Sequence, residues 1–303
     1  MITRIDQKKI QKTYYHHLIF AMSKIKIIEP GFFSTIQDVG RIGYRHKGVP
    51  LSGPMDKKAF EFAHKLVGND YQKCLIETTL KGPTLLIEGK VKLAYSGAPM
   101  DVYLNEDKML INKPFECNLG DIVKFGNCIS GVRTYISFRG GLKVSSVLGS
   151  GSYYYPVTKK KIIEKGDNFS IDSKSESIKY DLNDLLAKGY YLRENLHVSK
   201  GPDWDYIPSD LKEQLFKKSF TIGINDRMGY HFLGDDKLKN RINLKSSAII
   251  PGTIQLTPKG VLLASMADGQ VTGGYPRALI LDEFSMSILA QKRRGEKISF
   301  EIS

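Results

Sequence analysis

Thr253-Ile254-Gln255-Leu256-Thr257-Pro258-Lys259-Gly260-Val261-Leu262-Leu263-Ala264-Ser265 holds two short apolar runs on either side of a Pro-Lys-Gly break. Runs of this length, bounded by turn residues, read as strands. Similar runs occur at 92–96, 121–125, 133–138 and 297–302, and 28 Gly and 12 Pro punctuate the chain. The sequence therefore predicts a mainly β protein with a few short helices. One helix starts at the cap residue Asp56, carries Ala59, Phe62, Ala63 and Leu66 on one face and stops near Gly68. Two shorter ones are expected over 210–218, after Pro208, and 282–291, before Gly295.

The 303 residues suit one large domain or two ordinary ones, and 41% hydrophobic with 25% charged residues excludes a disordered chain, a coiled coil and a collagen-like repeat. Residues 1–21 are expected to be a disordered N-terminal extension, 22–157 a first subdomain, 158–185 an exposed polar connection and 186–303 a second subdomain. An internal echo supports two halves: Arg41-Ile42-Gly43-Tyr44 follows Asp38, and Arg227-Met228-Gly229-Tyr230 follows Asp226.

The 45 Lys and Arg against 32 Asp and Glu give a net charge of +13, mostly from scattered lysines. Only Lys159-Lys160-Lys161 and Lys292-Arg293-Arg294 form runs, without interleaved aromatics, so nucleic acid is not expected as a partner. No apolar run approaches a membrane span, so no membrane partner is expected. The three cysteines have no CxxC spacing, which points to a reducing, cytoplasmic setting. No Walker loop, GxSxG elbow or dinucleotide fingerprint is present, and no histidine lies in an HExxH or His/Cys cluster, so no metal is expected.

Three polar constellations remain. The first runs from Thr35 through Asp38 and Arg41 to Asp56, where a guanidinium fork beside a carboxylate can hold an acid or amide. Its plainer reading is a local ion pair at Asp38–Arg41 and a helix cap at Asp56. The second is Asp268-Gly269-Gln270-Val271-Thr272-Gly273-Gly274-Tyr275-Pro276, with Gln255 upstream. There Asp268 can serve as a base, and Gln270, Thr272 and Tyr275 as donors to a developing oxyanion; alternatively the loop is a glycine-rich hairpin. The third is Asn225-Asp226-Arg227-Met228-Gly229-Tyr230, where Asp226-Arg227 completes an anion site only if the segment is not extended, because neighbours on a strand face opposite ways; an ordinary surface turn is an equal reading. Glu77 is either a buried base or an edge-strand charge, and the edge-strand reading weighs more.

These blocks, together with Gly48-Val49-Pro50-Leu51-Ser52-Gly53-Pro54-Met55-Asp56, Glu77-Thr78-Thr79-Leu80-Lys81-Gly82-Pro83, Gly140-Gly141, Val147-Leu148-Gly149-Ser150 and Gly273-Gly274-Tyr275-Pro276, make the sequence similar to the KipA family. That family is also described as allophanate hydrolase subunit 2, as the C component of 5-oxoprolinase and as the biotin-dependent carboxyltransferase family. The resemblance implies two cyclophilin-like β-barrel subdomains. It also implies work with a KipI-like B component and a LamB/YcsF-like A component, opening the lactam of the small-molecule substrate 5-oxoproline to L-glutamate at the expense of ATP. With no Walker loop here, ATP would be bound by the complex. The alternatives it implies are carboxyl transfer from biotin, carried on another chain, to urea or a similar amide, and a non-enzymatic antagonist of a kinase inhibitor. On the oxoprolinase reading, Asp38 or Asp268 accepts a proton, Gln270, Thr272 and Tyr275 act at the reacting carbonyl, and Arg41, Asp56, Asp226, Arg227 and Gln255 bind substrate. Three positions depart from the family's pattern: Gly151 and His231, where Arg is common, and Val271, where Thr is usual.

Overall fold

The computed structural model describes residues 23–172, 176–182, 189–234, 238–240, 242 and 244–303. The expected N-terminal extension, residues 1–21, lies outside them.

The first half divides its strands between two sheets. A seven-stranded sheet runs in the order Leu142–Lys143, Asn168–Ile171, Lys24–Glu29, Thr84–Glu88, Ile122–Cys128, Met100–Leu104, Asp107–Met109. A five-stranded sheet runs Phe33–Gln37, Leu75–Thr79, Arg133–Phe138, Val91–Gly97, Phe115–Cys117. Alternate apolar residues of both, among them Ile25, Ile27, Leu85, Ile87, Ile76, Leu93 and Ile136, meet in one core. The second half is a closed seven-stranded barrel: Asn195–Lys200, Arg277–Leu281, Thr253–Leu256, Leu262–Ser265, Gly229–Leu233, Phe220–Asn225 and Lys297–Ile302. Its core holds Leu196, Ile222, Phe232, Ile254, Leu279 and Phe300, and also Met55, which reaches in from the first half.

Residues 158–185 differ from the single exposed connection that their polar composition predicts. Asn168–Ile171 pairs with Lys24–Glu29, and Ile163, Phe169 and Ile171 are buried in the first core. Few apolar residues suffice when they alternate on a strand, which is why composition alone missed them.

Three α-helices are described: α1 (Lys57–Val67), α2 (Ser209–Lys217) and α3 (Glu283–Ala290). Asp56 caps α1 by accepting from the Ala59 N–H at 3.0 Å, which contributes about 1 kcal/mol. Gly68, at φ 71°, takes the left-handed conformation that closes the helix. Asp282 caps α3 in the same way through the Ser285 N–H at 2.6 Å. Both caps lie at the junction of the halves, where Lys57 Nζ meets Glu283 Oε2 at 2.6 Å. Among the described residues no helix is long and apolar enough to cross a membrane.

Candidate functional site

Glu77 lies in the second strand of the five-stranded sheet, paired with Thr35 on one side and Tyr135 on the other, so the edge-strand reading is corrected. It is 1% exposed. Oε2 accepts from the Tyr135 hydroxyl at 2.8 Å and the Met55 N–H at 2.9 Å, and Oε1 accepts from Arg227 Nη1 at 2.5 Å. Arg227 comes from the other half. It sits in the turn between two barrel strands, where its Nε and Nη2 donate to the two oxygens of Asp268 at 2.7 and 3.1 Å. Nη2 also donates to the Gly53 carbonyl at 2.7 Å. Burial disfavours the charge on Arg227, but Asp268 and Glu77 outweigh it and raise its pKa.

Arg133 extends this network. Its Nη1 donates to Tyr230 Oη at 2.7 Å and, by a short contact, to the Ala290 carbonyl, while Nε stands 3.9 Å from Glu77 Oε1. Gln291 joins the halves with every polar atom engaged. Its Oε1 accepts from the N–H groups of Val132 and Arg133 at 2.9 and 2.8 Å, and its Nε2 donates to Asp56 Oδ2 at 2.7 Å and the Arg133 carbonyl at 2.8 Å. Tyr190 donates a short hydrogen bond to the same Asp56 oxygen. Burial raises the Asp56 pKa against the lowering effect of these bonds.

Beside the network, between the halves, opens a cavity of about 640 Å³. The first half supplies Thr35, Thr79, Arg133, Lys161 and the aromatic wall Phe32, Phe33, Tyr153, Tyr154 and Tyr155, and the second supplies Asp226, Arg227, Asp268 and the run Lys292-Arg293-Arg294. Six cationic side chains thus face two acidic ones, which suits an anionic ligand. The size is that of a site for a small organic molecule.

Asp226, Arg227 and Asp268, singled out by sequence, therefore meet in one wall. Asp226 and Arg227 both reach it because the chain turns after Asn225, with Asp226 Oδ1 accepting from the N–H groups of Met228 and Gly229 at 2.7 and 3.1 Å. Asp38 and Arg41 are buried outside the wall. Asp38 accepts from Gly40 N–H, Ser150 Oγ, Gly151 N–H and Ser152 Oγ at 2.6–2.9 Å. Arg41 donates a short hydrogen bond to the Ser152 carbonyl, and desolvation lowers its pKa against the charges of Asp38 and Asp268. The pair anchors the chain that leads into Tyr153, Tyr154 and Tyr155. Asp56 serves as cap and junction. Gln255, Gln270, Asp226 and His231 line a separate cavity of about 240 Å³. Thr272 is exposed and pairs with Ala248, and Tyr275 is exposed with its carbonyl 3.3 Å from Gln255 Nε2. Neither lines the larger cavity.

Sequence reasoning gave no role to Arg133, Tyr135, Tyr230 and Gln291 and weighed the two basic runs only as a sign of nucleic-acid binding. The available signal was a charged residue opening the apolar run 133–138. Among the described residues no group of three or more His, Cys, Asp or Glu is placed to hold a metal ion.

The chain is 29% identical to the C component of the 5-oxoprolinase of Escherichia coli, over 91% of this chain and 90% of that one. It is 27% identical to the urea amidolyase of Saccharomyces cerevisiae over 96% of its own length, but that match occupies 17% of the yeast protein. Among solved structures, TTHA0988 superposes with a TM-score of 0.81 at 25% identity, over 92% of this chain and 56% of that one. The urea carboxylase of Kluyveromyces lactis superposes with a TM-score of 0.80 at 26% identity, over 92% of this chain and 27% of that one. The sequence also matches the family described as carboxyltransferase domain, subdomain A and B, over residues 47–302. Because that match begins before the cap of α1 and runs to the last barrel strand, it takes in both halves, and the chain belongs to this carboxyltransferase-domain family.

Proposed function

We propose that this chain is the C component of an ATP-dependent 5-oxoprolinase, opening the lactam of 5-oxoproline to L-glutamate with a KipI-like B component and a LamB/YcsF-like A component. The observation that carries this reading is that the similarity to the C components of two bacterial 5-oxoprolinases runs over nearly the whole of both chains. The urea amidolyases contain it only as a minor part. ATP is held by the assembled complex, since the sequence has no Walker loop.

In this reading the substrate enters the cavity between the halves, and the cationic wall holds its carboxylate. A lactam carbonyl is resonance-stabilised, so opening it requires a positioned proton acceptor and stabilisation of developing charge. Both Asp268 oxygens already accept from Arg227, and Asp38 already accepts four hydrogen bonds. Asp226 is exposed and lines the cavity, and the described hydrogen bonds of its carboxylate all fall on Oδ1, so it takes the proton-accepting role that either of the other two was expected to fill. Asp268 instead fixes the Arg227 fork. A carboxyltransferase reading is favoured by the superposition on urea carboxylase, with biotin carried on another chain.

Co-expression with KipI-like and LamB/YcsF-like partners, each omitted in turn, tests the proposal through glutamate release from 5-oxoproline with and without ATP. ATP-dependent glutamate that disappears without this chain is expected. A verified complex that releases none, but carboxylates urea when given a carboxylated biotin carrier, would replace this reading with the second.

A further inference from the structure

The cationic side chains of the large cavity differ in what already occupies them. Arg227 is engaged by Asp268, Glu77 and the Gly53 carbonyl, and Arg293 donates to the carbonyls of Gly131 and Cys128 at 2.8 and 3.0 Å. Arg133 donates hydrogen bonds through Nη1 alone, and its Nε stands 3.9 Å from Glu77 Oε1, too far for a hydrogen bond. Its Nε is buried with no hydrogen-bond partner, and its Nη2 makes no hydrogen bond among the described residues, although the side chain is only 3% exposed and lines the cavity. Nε and one Nη form an edge of the guanidinium whose two parallel donors match the two oxygens of a carboxylate. A buried donor left unpaired is costly, so such an edge marks a place where a ligand supplies the acceptor.

Lys292 is the second such group. It is 3% exposed, lines the same cavity, and its ammonium makes no ion pair or hydrogen bond among the described residues. Desolvation lowers its pKa, opposed by the charges of Glu296 and Glu194.

We propose that the Nε/Nη2 edge of Arg133, with Lys292 lining the same cavity, is the receptor for the carboxylate of a small acid. This rests on the cavity's being the substrate site. It assigns the carboxylate of 5-oxoproline to Arg133 rather than to Arg41 or Arg227. Arg41 is outside the wall, and Arg227 is already held by two carboxylates.

The test is calorimetric titration of the full chain with 5-oxo-L-proline, its uncharged carboxamide and bicarbonate. Wild type, Arg133→Lys and Lys292→Met are compared after each is shown to be folded by its thermal unfolding. Arg133→Lys keeps the charge but loses the two-pronged edge. Wild type is expected to bind 5-oxo-L-proline at least ten-fold more tightly than the carboxamide, and each variant to lose at least ten-fold for the acid with little change for the carboxamide. Arg133→Lys also bears on the Tyr230 and Ala290 contacts, so if it fails to fold, Lys292→Met decides. Wild-type affinity in the folded variants, or no carboxylate bound by wild type, would overturn the receptor. Bicarbonate binding that depends on Arg133, with no binding of 5-oxo-L-proline, would keep the receptor and remove the oxoprolinase reading.

Discussion

Glu77 is shared by two guanidinium groups and is sealed from solvent. Breaking a buried ion pair by removing one partner strands the other charge, at a cost of about 3–5 kcal/mol. Glu77→Gln is nearly isosteric, so it should lower stability by about that amount, as a fall in the urea midpoint at pH 7 with an unchanged m-value. A loss below about 1 kcal/mol would mean that Asp268 alone balances Arg227 and Arg133. His64 offers a second reading at this scale. It is fully buried on α1, with Nδ1 3.0 Å from Ser137 Oγ and 3.4 Å from Asn69 Nδ2, and with the Phe60 ring against it. Desolvation pushes its pKa from the ordinary 6.5 down to about 3. Between those values the unfolded chain binds a proton that the native protein refuses, so stability falls as pH drops below 6.5, by about 1.4 kcal/mol per pH unit. Urea midpoints at pH 7.5 and pH 5 should therefore fall more steeply for wild type than for His64→Gln. Equal slopes would contradict the assignment.

The elements were legible where side chains act locally. The run 133–138 is the strand Arg133–Phe138, 297–302 is Lys297–Ile302, the cap expected at Asp56 is present, and the helix expected from 282 begins at its own cap, Asp282. These follow from period and capping chemistry, which need only a few neighbouring residues. The candidate site was legible in one corner, Asp226, Arg227 and Asp268. Its other members come from segments far apart in sequence: Arg133 is 97 residues from Tyr230, and Glu77 is 150 from Arg227. No local pattern encodes such a meeting. Gly151 illustrates the same limit in a loop. A Cβ there would lie 2.6 Å from Cys74 Sγ, so the space an arginine would need is taken by a sulfur whose thiol burial pushes up to about 12. Gly151→Ala should cost about 1–3 kcal/mol through overpacking, and Cys74→Ala should recover most of it in the double variant. A thermal-unfolding double-mutant cycle checks this. Simple additivity would show that the clash is relieved elsewhere.

At the scale of the whole molecule, the two halves are joined by polar groups that solvent does not reach. Gln291 makes four hydrogen bonds, three of them with Val132 and Arg133 and one with Asp56. Met55, meanwhile, is packed into the barrel core. The halves should therefore unfold as one. Trp204, the only tryptophan, reports on the barrel by fluorescence, and Cys117, buried in the first half, reports by thiol labelling. Their urea transitions should coincide in wild type and separate in Gln291→Ala, which leaves Asp56 and the Arg133 strand without partners. Coincident transitions in the variant would place the coupling in Met55 instead. The wide separation of Glu77 and Arg227 also has a meaning for synthesis on the ribosome. Glu77 emerges from the exit tunnel 150 residues ahead of Arg227, the guanidinium that donates a hydrogen bond to it. Until then Met55 has no barrel to enter, so the nascent first half carries an unburied apolar hook and an acid that lacks one of its two guanidinium partners. It is a waiting intermediate for a chaperone to shield, and it closes only when the carboxyl-terminal strands arrive.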